Sequence, residues 1–225
     1  MSAARSSSIR EADLVFVARL LDQLRRPGDS PPIRRAILTI ALFSPLYGLA
    51  MGAFELSEPR AMGPIYSAVK MPLLIFATSA VCLPGYFALS TVLRLRDDLR
   101  TALRAIVSSQ AAFAAALVSL SPITLFMYAN GVDHRTALLT NGMMFFIATL
   151  AAQAILWRRY RPLLMRSRRH ALMLSYWLVA YIFVGIQMGW MLRPFVGTPG
   201  FAPTFFREEP FSNAYVVVWR LVVGH

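Results

Sequence analysis

Five long stretches of this chain contain no charged residue, and that feature alone restricts it to very few folds. The stretches run Ala36–Phe54, Met71–Leu93, Ala105–Tyr128, Ala137–Trp157 and Ala171–Leu192, and not one holds an Asp, Glu, Lys, Arg or His. Crossing about 30 Å of hydrocarbon takes roughly 20 apolar residues in a helix that rises about 1.5 Å per residue. In lipid, backbone N–H and C=O groups must pair within the spanning segment, because no water is there to satisfy them. The pattern therefore predicts an all-α, polytopic membrane helix bundle with five transmembrane helices. Only 15% of the 225 residues are charged, against roughly a quarter in soluble domains.

The net charge of +12 invites a nucleic-acid reading, but its distribution points elsewhere. Seventeen of the 23 basic residues fall before the first run, between the second and third, and between the fourth and fifth. The remaining six are Arg60, Lys70, Arg135, Arg193, Arg207 and Arg220. Basic loops stay in the cytoplasm beside anionic headgroups. The expected topology has the N-terminus inside and the C-terminus outside, with membrane lipids and not nucleic acid as the charge partner. The first apolar run starts too far along the chain for a cleavable signal peptide, so it is expected to direct insertion itself.

Residues 1–35 form the first of three expected regions, a cytoplasmic segment with an amphipathic helix. Ser8-Ile9-Arg10-Glu11 has capping-box spacing. Leu14, Val17, Leu21 and Leu24 then recur on one face, and Pro27-Gly28-Asp29-Ser30-Pro31-Pro32 ends the helix. Residues 36–192 are the five-span domain, and residues 193–225 an extracytoplasmic, aromatic-rich tail.

Within the spans, backbone-breaking and small residues stand out. Pro45 and Pro84-Gly85 each fall nine residues from the expected cytoplasmic end of their run, a depth of roughly 14 Å. Two kinked helices at one depth can frame a cavity, although membrane helices commonly tolerate proline. Gly48-x-x-x-Gly52 and Gly185-x-x-x-Gly189 have the spacing that lets helix backbones approach closely. Gln110, Asn141, Gln153 and Gln187 are expected to hydrogen-bond between helices. The runs hold no carboxylate, which argues against a proton-coupled pump.

The end of the fifth run is the most distinctive passage. Trp190 and Arg193 suit an outer interface, and Phe195, Phe205 and Phe206 follow in a short tail. Aromatics in that number are expected to be covered by a partner protein, a second copy or the membrane surface.

Gln187-Met188-Gly189-Trp190-Met191-Leu192-Arg193-Pro194-Phe195-Val196-Gly197 resembles the closing motif of an uncharacterised group of small bacterial multi-pass membrane proteins. Ser44-Pro45-Leu46-Tyr47-Gly48, Lys70-Met71-Pro72-Leu73-Leu74 and Leu83-Pro84-Gly85-Tyr86 resemble that group's earlier motifs. More distantly, Leu46-Tyr47-Gly48 and Gly85-Tyr86 resemble fragments of the Yip family, five-span proteins with a cytoplasmic N-terminus. Their order and surroundings depart from the Yip pattern, so that family's link to trafficking GTPases is not carried over. The resemblance implies a bacterial inner membrane location and no named activity.

No catalytic, cofactor-binding or metal-binding set emerges. His134, His170 and His225 are widely separated and read as surface or interface histidines. Asp97-Asp98 is flanked by Arg94, Arg96 and Arg100, which account for its charge, and Glu208-Glu209 beside Arg207 reads as a solvated cluster. Cys82, the only cysteine, reads as structural. The expected function is a non-enzymatic membrane subunit or scaffold that associates with itself or with a partner membrane protein. The alternative is a small transporter or lipid-handling protein with a cavity at Pro45, Pro84 and Gly85.

Overall fold

The computed structural model describes residues 32–54, 62–193, 195–197 and 205–206. Among them are five α-helices: α1 (Ile33–Gly52), α2 (Gly63–Val92), α3 (Leu99–Ala129), α4 (His134–Arg166) and α5 (Arg169–Met191). All five are long and apolar enough to cross a membrane, and no described residue lies in a strand. The expected amphipathic helix before Ile33 lies outside the described residues, as does most of the tail beyond Gly197.

Most helices outrun their uncharged stretches. At about 1.5 Å per residue, the 33 residues of α4 reach roughly 50 Å, well beyond a hydrocarbon core of about 30 Å. The surplus carries Arg158, Arg159, Arg161 and Arg166, which project from the same end of the bundle as Arg94, Arg96 and Arg100. That end is called the basic end below.

Local chemistry fixes the helix boundaries. Asp133 caps α4 by accepting from the backbone N–H groups of Arg135 and Thr136 and from the Thr136 hydroxyl. The Thr136 hydroxyl, with those N–H groups, holds the Asp133 carboxyl below the usual carboxylate range. At the end of α3 the chain turns through Gly131, whose φ of 69° suits a residue without a Cβ. Pro64 sits in the first turn of α2, where its missing N–H removes no helical bond.

Helices α1 and α2 form a tight antiparallel hairpin. A Cβ on Gly48 would run into the Ser67 carbonyl oxygen, and one on Gly52 would stand 2.7 Å from that of Gly63. These contacts set the register, so that Ile33 lies roughly opposite Cys82. Helix α2 runs on past the start of α1 by about 15 Å, toward the basic end. Helix α3 packs along α1 through Ala111, Ala114 and Ala115, where small side chains let Ile40 and Phe43 seat between them. Helix α4 lies on α3, and α5 on α2.

The core divides along the bundle axis. In the half away from the basic end, Tyr47 and Met51 of α1 and Phe54 just after it meet Met71, Leu117, Met144 and Ala148. Among the described residues, none of α1 joins the core of the basic half. There Met173, Leu174 and Trp177 of α5 join Cys82, Tyr86, Ile106, Leu156 and Tyr160.

Candidate functional site

The densest buried polar chemistry in the basic half gathers where four helices meet. Tyr86 of α2 and Tyr160 of α4 are fully buried, and their hydroxyls are 2.8 Å apart in a hydrogen bond. Trp177 of α5 packs edge-on against Tyr86, with ring centroids 5.6 Å apart. The Tyr160 ring meets the His170 ring edge-on at 6.2 Å. His170 Nε2 lies 3.2 Å from Asp98 Oδ2, and Arg166 donates to the other oxygen, Asp98 Oδ1. Arg169 closes the arrangement by donating to the Leu93 carbonyl at 3.2 Å.

Elements rather than loops hold these groups. Asp98 is the N-cap residue of α3, although its side chain reaches the α4–α5 corner instead of its own helix. The α4–α5 connection is so short that His170 falls in the first turn of α5 and points inward. The α2–α3 corner is made by Arg94, whose φ of 58° turns the chain after Leu93. Two expectations are corrected here. His170 is 1% exposed, a buried residue and not a surface one. Asp98 answers Arg166 and His170 from a different corner, not merely the arginines beside it in sequence.

In the opposite half a second polar knot binds α1, α3 and α4. Tyr47 donates to Asn141 Oδ1 at 2.9 Å, Asn141 donates to the Tyr128 hydroxyl, and Tyr128 donates to the Met51 carbonyl at 3.3 Å. Asn141 thus makes the interhelical bonds expected of it. Gln110 does so as well, donating to Ser79 at 2.9 Å.

The residues singled out in the sequence fall into different places. Gly48 and Gly52 lie in the α1–α2 contact. Gly185 faces Thr78 Cγ2 at an ordinary 3.7 Å, and Gly189 faces open space. Pro45 and Pro84 are not brought together. The hairpin register sets Pro45 opposite Lys70, fourteen positions along α2 from Pro84, or roughly 21 Å. At Gly85 the Tyr176 hydroxyl of α5 occupies the space a Cβ would need. Pro84 itself is exposed.

The aromatic residues after α5 fold back on the chain. Ser67 donates to the Phe195 carbonyl at 2.6 Å. Lys70 is fully buried, with its ammonium 5.2 Å from the Phe205 ring centroid and 6.0 Å from that of Phe195. Phe205 also packs edge-on against Tyr66. The Arg193 guanidinium lies over the Trp190 ring at 3.3 Å. Of the five residues expected to dock a partner, Phe206 is the one with an exposed side chain.

The cluster at Tyr86, Tyr160, His170 and Asp98 was not singled out from the sequence. The available signal was His170 itself, one residue ahead of an uncharged run and only three after Ser167. Comparison of the chain with family models, curated proteins and solved structures found no match.

Proposed function

We propose that this chain is a non-enzymatic subunit of a bacterial inner membrane that works by associating with a second copy of itself or a partner membrane protein. Its basic end lies in the cytoplasm and its C-terminus outside, in keeping with the retention of basic segments on the cytoplasmic side. The association surface is the half of α5 beyond Trp177.

One observation carries this reading: after Trp177, no residue of α5 is buried. That half still presents Gly189, which has open space where a Cβ would stand. Small residues on the face of one membrane helix favour close approach of another helix. The transport or lipid-handling alternative draws less support, because Pro45 and Pro84 lie at different levels and Tyr176 fills the space at Gly85.

The test is native mass spectrometry of protein extracted with its surrounding lipid, as wild type and as Gly189→Leu. A defined oligomer or a reproducible partner, lost in Gly189→Leu with helix content unchanged, is the expected result. A wild-type monomer overturns the reading, and a monomer carrying one specific small molecule or lipid transfers support to the alternative.

A further inference from the structure

His170 combines three properties that together make a device. It is buried, its Nε2 faces the Asp98 carboxylate, and its Nδ1 is buried without a hydrogen-bond partner. A neutral imidazole carries one N–H. With that proton on Nε2, His170 donates to Asp98 and leaves Nδ1 bare, an arrangement the site accommodates.

A second proton is another matter. The charged and titratable groups around the ring are Asp98 at the start of α3, Tyr160 and Arg166 on α4, Tyr86 behind Tyr160 on α2, and Arg169 on α5 itself. Asp98 is already shared with Arg166. Protonation at Nδ1 would place an N–H with no acceptor, and an added positive charge, in a spot closed to water. Relief requires water at Nδ1. The element able to yield is α5, whose buried residues are His170, Met173, Leu174 and Trp177, all in its first turns.

We infer that His170 and Asp98 form an acid-sensitive latch that pins the first turns of α5 onto α2, α3 and α4 while the imidazole is neutral and releases them when it is charged. The latch goes beyond the association reading and does not depend on it.

The experiment follows amide hydrogen exchange of the full chain in lipid nanodiscs at about pH 7.5 and about pH 5.5, a range across which histidine changes charge. Each protection factor is corrected for the intrinsic pH dependence of exchange, and the first turns of α5 are compared with Ala111–Ala115 of α3 in wild type and in His170→Gln. The expected result is a loss of protection in the first turns of α5 of at least about fivefold on acidification, within the limit of about tenfold per pH unit for one titrating group.

In His170→Gln the loss should be absent, and its persistence there overturns the latch. Should His170→Gln fail to fold, the wild type alone decides: parallel behaviour of the α5 and α3 amides overturns the inference.

Discussion

The two halves of the bundle solve the same packing problem with different materials. Away from the basic end, α1 fills the space beside α2 and α3, and it does so with small residues: glycines against the α2 backbone and Ala111, Ala114 and Ala115 of α3 against its large side chains. At the basic end α1 has ended and α5 takes its place, with large aromatic and polar groups: Trp177 on Tyr86, Tyr86 on Tyr160, His170 on Asp98. Backbone-to-backbone contact offers no rotamer to adjust, so the first half is rigid. The second depends on hydrogen bonds and a charge that solvent can replace. A membrane helix gains little from excluding water, so these contacts decide which part holds and which part yields.

The sharpest way to break the contrast is to add volume where the first half has none. Gly48→Leu drives a side chain into the Ser67 carbonyl, and overpacking of this kind costs about 3 kcal/mol or more when backbone must move. The expected outcome is loss of the α1–α2 hairpin, read as a collapse of the thermal unfolding midpoint in detergent. Gly189→Leu, with open space at the same atom, should lower that midpoint far less, by no more than the loss of association accounts for. Equal loss in both variants would sink the distinction between the packed and the unfilled glycine pair.

The basic half is tested next by removing its charge. Asp98→Ala leaves the His170 Nε2–H buried without an acceptor, a penalty of about 2 kcal/mol. The Arg166 side chain is 70% exposed, so its half of the pair adds little, water taking the place of the carboxylate. Unfolding should begin at α5, with Cys82 becoming reactive before helix content falls. If Asp98→Ala instead unfolds the chain in one step with Cys82 covered throughout, the halves are not separable.

Much of this was legible in the sequence, and the reason is locality. The absence of charge along a run is a property of that run alone, so the number of spans and the end bearing the arginines could be read directly. Meetings between runs could not. Asp98 was matched with the arginines beside it, yet its partners stand 68 and 72 positions away. Pro45 and Pro84 were given one depth by counting from the end of each run, but α1 starts far short of where α2 finishes. The sequence leaves Phe195 and Phe205 to be covered by a partner or the membrane surface, because nothing in it pairs them with Lys70. Depth and register belong to pairs of helices, and only contacts such as Gly48 on Ser67 reveal them.

A smaller effect sharpens the account of the basic half. Tyr86→Phe removes one hydroxyl from a buried pair and keeps the ring against Trp177. The loss should be about 1 kcal/mol, the usual worth of one such bond. A double change with Tyr160→Phe should recover part of it, because no hydroxyl is then left unpaired. Additive losses would mean the two hydroxyls are satisfied separately.

The smallest effect is expected at the far end, where Asp133 caps α4 in an exposed turn. Its carboxyl is held below the usual range by the Thr136 hydroxyl and the N–H groups of Thr136 and Arg135. A group of lowered pKa contributes stability above its unfolded value and loses it as pH falls through the folded one. The cap should therefore persist through mild acid and fade only in strong acid, and Asp133→Asn should flatten that last part of the profile. Mild acid should loosen the first turns of α5 while Asp133 stays ionised, and His134→Gln removes the histidine that stands in the first turn of α4 itself. Hydrogen exchange in the first turn of each helix across one pH series separates the two ends, and simultaneous loss of protection at both would show that the bundle responds to acid as one body.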